Sequence, residues 1–423
     1  MLRLLLLALL IGPVSATPAA GAPAAAGSRS TVILLSWDGT RWDYPDRGSL
    51  PGLERMAREG TRAERLIPVF PTSTFPNHVT LATGAYVERH GIVANSFVDR
   101  KRGRYRYAAD ASWIEAEPIW AAAERQGVRS ATYFWVGSES DWHGLRASDR
   151  ISPFDGSVDE KTKVDQILAW LDRPDARRPR LILSWWHGAD EAGHRWGPDS
   201  SAVLRALETQ DAALQRLLRG LDARDAWPHT TLIVVSDHGM TRVTRRIDLQ
   251  GALRARGLRA QVEYGGGFGY VALERSERID EARVLLEALP HLHAWRSDAL
   301  PAALHARVPG RTGDLTVVAD PPFAVLRPPG LGARLLAWLR RILRRPAGMH
   351  GYPPDAPDMH AILFALGRGT PRGLRAGPAR SLDVAPSIAR LLEIDPPSDA
   401  QGLPFDWLEL DRAAAPGTIP RQP

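Results

Sequence analysis

The sequence predicts an α/β protein: a doubly wound, mostly parallel sheet flanked by helices, with a smaller α+β subdomain inserted into it. Short β-branched or apolar runs alternate with longer helical patterns between Thr31 and Ser236, which is how strands joined by crossover helices read. From Thr241 to about Pro329 the pattern changes character, with strands, a glycine cluster at Gly265–Gly267 and a helix near Asp280–Leu289. The alternation then resumes with a strand at Ala361–Ala365 and a closing helix at Leu382–Leu392. A change of pattern between two halves of one pattern marks an insertion.

Thr31–Ser36 is a strand of the fully buried type, and Leu50–Glu59 is a helix stopped by Gly60. Pro118–Gln126 reads as helix and Ser130–Trp135 as strand, followed by a helix at Lys161–Leu171 and a strand at Arg180–Trp186. Ser201–Leu221 carries Leu204, Leu207, Leu214, Leu217, Leu218 and Leu221 at helical spacing, and Thr230–Ser236 is strand again. Residues 31–240 and 346–412 are expected to form the core, residues 241–345 the insertion and residues 413–423 a tail. Residues 1–16 read as an export signal: Arg3, an apolar run Leu4–Ile11 too short to span a bilayer, and the small-residue pattern Val14-Ser15-Ala16. Residues 17–30, rich in Ala, Pro, Gly and Ser, follow as a flexible lead-in. The destination implied is periplasmic or secreted.

With 423 residues, 44% of them hydrophobic and 24% charged, the chain has material for a large core, which excludes wholesale disorder and a multi-span membrane protein. A net charge of +6 is too small for this length to mark a dedicated nucleic-acid binder, so no specific nucleic-acid partner is expected. Cysteine is absent, which removes disulfides, thiolate catalysis and Cys-bound metals.

Ligands of open α/β sheets bind at the carboxyl ends of the strands. Three strand ends here carry metal-ligand types: Asp38 after the first, Asp190 and His194 after Arg180–Trp186, and Asp237-His238 after Thr230–Ser236, with His350 as a sixth candidate. One Asp or His after a strand is an ordinary turn or cap residue. Together they make a carboxylate and imidazole set that suits zinc or manganese. A nucleophile is on offer in Pro71-Thr72-Ser73-Thr74-Phe75-Pro76-Asn77-His78, where Pro76 fits the first turn of a helix running to Thr83 and Thr74 lies near its N-cap. Capping and catalysis are compatible there, because a helix N-terminus favours an anion such as an alkoxide or a phosphate. A metal on the Thr74 oxygen would activate it without a Cys or a His/Asp relay.

The string Thr74-Phe75-Pro76-Asn77-His78, then Thr83-Gly84, His90-Gly91-Ile92 and Asn95, resembles the nucleotide pyrophosphatase/phosphodiesterase (type I phosphodiesterase) family of the alkaline phosphatase superfamily. The likeness continues through Thr132-Tyr133-Phe134-Trp135, Asp190, Gly193-His194, Ser236-Asp237-His238-Gly239-Met240, His350-Gly351-Tyr352 and Asp358-Met359. The resemblance implies an alkaline phosphatase-like core and two zinc ions, one held by Asp190, His194 and His350 and the other by Asp38, Asp237 and His238. Manganese or iron suits the same donor types. It also implies Thr74 as nucleophile and Asn95 as donor to a non-bridging phosphate oxygen. The expected activity is hydrolysis of a phosphodiester or pyrophosphate bond through a phospho-threonine, on a small phosphodiester or nucleotide substrate.

By the same resemblance Phe75 helps clamp a nucleobase. Phe154, in Pro153-Phe154-Asp155-Gly156-Ser157, is the candidate for the other side of the slot, where stacking contributes on the order of 1 to 3 kcal/mol for any base. Ordinary packing accounts for Phe154 equally well. A phosphomonoesterase or phosphonate hydrolase is the enzymatic alternative, disfavoured because no arginine clamp for a dianionic phosphate is evident near Thr74. A phosphate-ester receptor without turnover is the non-enzymatic alternative, against which the intact nucleophile and ligand set weigh. Trp185, Trp186 and His187 either shape the pocket or fill the end of the sheet, and His78 reads as packing behind the nucleophile. Leu331–Arg345 sets Leu335, Leu336, Leu339, Ile342 and Leu343 opposite five arginines, which fits a surface helix packed on the insertion or one lying on an anionic membrane.

Overall fold

The computed structural model describes residues 30–108, 110–327 and 347–409. The expected export signal, nearly all of the lead-in, the tail and the Leu331–Arg345 pattern lie outside the described residues. At the centre is an eight-stranded sheet in the order Leu374–Ala376, Thr61–Ala63, Leu363–Gly367, Thr230–Val235, Thr31–Trp37, Leu181–Trp186, Ser130–Tyr133, Asp149–Ile151. From Thr230–Val235 to Asp149–Ile151 every pairing is parallel, whereas Leu363–Gly367 runs antiparallel to both neighbours.

Thr31–Trp37 lies mid-sheet with every residue buried, which is why its sequence is apolar without alternation. Ile33, Leu35 and Trp37 enter one layer with the helices Pro51–Glu59, Glu160–Leu171 and Ser201–Asp222. Val32 and Leu34 enter the other with Thr74–Thr83, Ile119–Arg125 and Val384–Leu392. The sheet is therefore wound on both faces. The Pro51–Glu59 helix takes its N-terminal cap from a distant element: Asp211 accepts from Gly52 N and Leu53 N at 2.9 Å each. Those amides and the helix dipole compensate the burial of that carboxylate.

Two expected strands differ by more than one residue at an end. Ser130–Trp135 stops at Tyr133, because Phe134 turns into the left-handed region at φ 62°. Ala361–Ala365 is displaced to Leu363–Gly367, because Ala361 bridges instead to Arg41 and Leu66.

The insertion folds as a four-stranded antiparallel sheet in the order Ala260–Tyr264, Phe268–Leu273, Leu315–Ala319, Leu292–Arg296. The helices Leu249–Ala255 and Ile279–Glu287 cover one face. Phe268, Tyr270 and Val318 on the other pack with Phe70, Phe75, Val79 and Phe97. Buried Arg311 pins this contact, donating to Asp99 Oδ2 at 2.9 Å and Gly91 O at 2.8 Å. The insertion is thereby held beside the Thr74–Thr83 helix. Among the described residues no helix is long and apolar enough to cross a membrane.

Candidate active site

The carboxyl ends of three adjacent central strands converge. Thr31–Trp37 ends at Asp38, Thr230–Val235 leads to Asp237 and His238, and Leu181–Trp186 leads to the helix Asp190–Trp196, on which Asp190 and His194 lie one turn apart. His350 follows Ala347–Met349, a short strand paired with Thr241–Val243. Close approach of the loops needs glycine at Gly188 (φ 61°), where a Cβ would lie 1.9 Å from Asp38 O. It needs glycine again at Gly267, within the glycine cluster, where a Cβ would meet Tyr352 N at 2.4 Å.

Asp190, His194 and His350 each offer a donor atom within 4.8 Å of the others, and so do Asp38, Asp190 and His238. Asp237 joins the second group, its Oδ2 3.2 Å from His238 Nε2, which is itself 3.6 Å from Asp38 Oδ1. Thr74 Oγ1 lies 3.3 Å from the same Nε2. All six sequence-derived ligand candidates and the candidate nucleophile thus share one cluster.

The donor atoms suit a cation. Each imidazole gives Nδ1–H to a backbone carbonyl: His194 to Gly348 at 3.0 Å, His238 to Gly239 at 2.8 Å and His350 to Thr72 at 2.9 Å. That bond fixes the tautomer and leaves Nε2 as a bare lone pair. Asp38 Oδ1, Asp190 Oδ1 and Asp237 Oδ2 are buried without a hydrogen-bond partner, a costly state for carboxylates unless a cation lies among them. Burial, then repulsion from Asp237 and Asp190, pushes the Asp38 carboxyl well up. At Asp190 burial acts the same way but is outweighed by His194, His350 and His238, and the carboxyl lies at about 2. Burial, with repulsion from His238 and His194, drives His350 well down, favouring the neutral imidazole that binds metals. Nitrogen and oxygen donors without thiolates fit zinc or another divalent first-row ion.

Thr74 is the first residue of its helix and Ser73 is the N-cap, in extended conformation at φ −130°, ψ 154°. Thr74 thus lies next to the N-cap, where the sequence placed it, and its hydroxyl faces the cluster rather than capping the helix. The loop before it is clamped by Asn77, whose Oδ1 accepts from Val69 N at 2.8 Å and whose Nδ2 donates to Pro71 O at 2.9 Å and Ser73 O at 3.1 Å. Asn77 stood in the sequence motif without a role. Asn77→Ala leaves Val69 N and Val69 O without a partner, while Pro71 O and Ser73 O keep Ser73 N and Asn77 N, and is expected to lower stability by about 2 kcal/mol, checked by urea unfolding. His78 packs behind Thr74, with Nδ1 2.9 Å from Thr74 O, and also approaches Asp237 Oδ2 at 3.3 Å. Asn95 Oδ1 is occupied by Phe75 N at 2.8 Å and Ser73 Oγ at 3.2 Å, so Nδ2 is the end left to donate.

A cavity of about 430 Å³ opens over this cluster, with Asp38, Thr74, Asn95, Asp190, His194 and His350 among its lining. Phe75, Tyr107, Trp185, Tyr264 and Phe268 supply aromatic walls, and Tyr107 meets Phe75 edge-on at 5.2 Å. Tyr264 and Phe268 come from the insertion, a contribution with no signal in the sequence. Phe154 lies outside that lining, 42% exposed and stacked on Trp185 at 4.9 Å.

The sequence profile of the type I phosphodiesterase / nucleotide pyrophosphatase family matches residues 32–353. The chain belongs to this family. An uncharacterized pyrophosphatase/phosphodiesterase of Schizosaccharomyces pombe is 33% identical over 386 residues, covering 86% of this chain and 77% of that protein. The bis(5'-adenosyl)-triphosphatase of Xenopus laevis is 29% identical over 373 residues, covering 87% and 78%. Murine ectonucleotide pyrophosphatase/phosphodiesterase 5, solved in an inactive threonine-to-alanine form in complex with AMP, superimposes with a TM-score of 0.78 at 26% identity, covering 87% of this chain and 96% of that one. This type I phosphodiesterase is a hydrolase with an alkaline phosphatase-like α/β fold.

Proposed function

We propose that the protein is an exported, two-zinc phosphodiesterase that cleaves phosphodiester or pyrophosphate bonds in small molecules, nucleotides among them, through a phospho-threonine at Thr74. The observation that carries this reading is the Thr74 hydroxyl, 3.3 Å from His238 Nε2 within a cluster of bare carboxylate and imidazole donors. Asp190, His194 and His350 would hold one ion, and Asp38, Asp237 and His238 the other. Bound there, the ions supply the positive charge that acidifies the hydroxyl and stabilises attacking and leaving oxygens.

Thr74 Oγ1 forms a bond to phosphorus as the bond from phosphorus to the leaving oxygen breaks, and the leaving group departs as an alcohol or a phosphate. The N-terminus of the Thr74–Thr83 helix favours the negative charge there. Asn95 Nδ2 donates to a non-bridging oxygen, where charge accumulates in the transition state. Water then cleaves the phospho-threonine, releasing the phosphate monoester and restoring the hydroxyl. Phe75 offers one aromatic face for a base, whereas Phe154, expected on the other side, lies outside the cavity lining and stacks on the wall residue Trp185. Export rests on the Arg3, Leu4–Ile11 and Val14–Ala16 pattern.

Among the described residues lining the cavity there is no arginine or lysine. The second negative charge of a monoester therefore lacks a partner worth about 1.5 to 3 kcal/mol. Bis-p-nitrophenyl phosphate should accordingly surpass p-nitrophenyl phosphate in kcat/KM by at least about 10-fold. A faster monoester would refute the diesterase reading.

A further inference from the structure

Trp185 and Trp186 are neighbours on Leu181–Trp186 and face opposite sides of the sheet. Trp186 is fully buried, stacked on Trp37 at 6.0 Å, with its indole donating to Ser184 Oγ at 3.0 Å. Trp185 turns to the site, where its Nε1 donates to Asp38 Oδ2 at 3.0 Å. Asp38 therefore has one oxygen held and the other, Oδ1, bare.

Asp237 shows the same division, but its Oδ1 is held by two backbone amides, Gly39 N at 3.1 Å and His238 N at 3.0 Å, with Ser236 Oγ at 3.3 Å. The imidazoles too are held by backbone. Among the described residues Trp185 is the only hydrogen-bond donor to the Asp38 carboxylate. With Asp190 and Asp237 close by, a carboxylate released from that tether would be repelled from the centre.

The indole is itself immobilised. Its ring stacks on Phe154 at 4.9 Å and 24°, and meets His78 at 5.2 Å. Its main-chain carbonyl accepts from Lys163 Nζ at 3.1 Å. Lys163 is 0% exposed, a costly placement for an ammonium group, and Glu160 Oε1 lies 3.8 Å from it.

We propose that Trp185 is a positioning residue for the metal centre: its indole N–H orients the Asp38 carboxylate so that Oδ1 faces the ion shared with Asp237 and His238. The inference rests on the two-metal reading above. Groups that orient a metal ligand typically change affinity by about 10- to 100-fold when removed.

Trp185→Phe keeps the stacked ring and deletes the N–H. Competition of the full chain with a chromogenic zinc chelator should show the affinity for one of two ions weakened about 10- to 100-fold, with the other unchanged. The cobalt-substituted protein should lose the absorption of one site at the same chelator concentration. Trp185→His retains an N–H and should recover part of the affinity, and Asp38→Asn should lose the same ion. Trp185→Phe binding both ions as tightly as the parent, while Asp38→Asn loses one, overturns the positioning role and leaves the two-metal reading standing. Asp38→Asn without effect on either ion overturns both. Should Trp185→Phe fail to fold, benzothienylalanine at position 185 replaces the indole N–H by sulfur in a ring of the same shape, and unchanged zinc affinity there also overturns the role.

Discussion

Thr74→Ala should reduce turnover of a p-nitrophenyl nucleotide phosphodiester by about ten-thousand-fold or more, the scale expected when a covalent nucleophile is removed. The loss should be chemical rather than structural. The Thr74 hydroxyl caps no helix, and the loop preceding it is clamped by Asn77 rather than by Thr74 itself. Removing Oγ1 and a methyl group leaves those bonds intact, so the melting temperature should stay within a few degrees. The cavity keeps its donors and aromatic walls, so nucleotide binding should survive. Quenching the parent enzyme during turnover of a substrate labelled on phosphorus should trap label on the protein, and the variant should trap none. Retention of more than a few per cent of parental turnover would sink the phospho-threonine route.

Exhaustive chelation should abolish turnover and lower the melting temperature by roughly 5 to 10 °C. An ion present at about 1,000 times its dissociation constant adds about 4 kcal/mol to the folded state. Each kcal/mol corresponds to about 2 to 4 °C in chains of 150 to 250 residues, and to less in a longer one. The sign follows from the site. Asp38 Oδ1, Asp190 Oδ1 and Asp237 Oδ2 are buried and bare, and without a cation their mutual repulsion opposes folding. Differential scanning calorimetry before and after chelation, then after zinc is restored, measures both the loss and its reversal. An unchanged melt with full activity in chelator would exclude a metal centre at these residues.

Local signals made much of this legible. The adjacency of Asp237 and His238, the one-turn spacing of Asp190 and His194, and the position of Pro76 within a helix are patterns of a few residues, and short-range geometry fixes what they can do. The doubly wound core was readable for the same reason, since strands buried on both faces must be apolar throughout. Other features had no local trace. The cap on Pro51–Glu59 comes from Asp211, 159 residues beyond Gly52, and Thr74 Oγ1 meets His238 Nε2 across 164 positions.

From sequence alone come the class of fold, the candidate donors and the hydroxyl, because residue type and spacing carry them. Tertiary structure alone decided that Trp185 reaches Asp38 across 147 positions, that the insertion brings Tyr264 and Phe268 to the cavity, and that burial beside Asp190 and Asp237 pushes the Asp38 carboxyl up. Burial, repulsion and hydrogen bonding depend on distance in space, and chain periodicity encodes that distance only within one element.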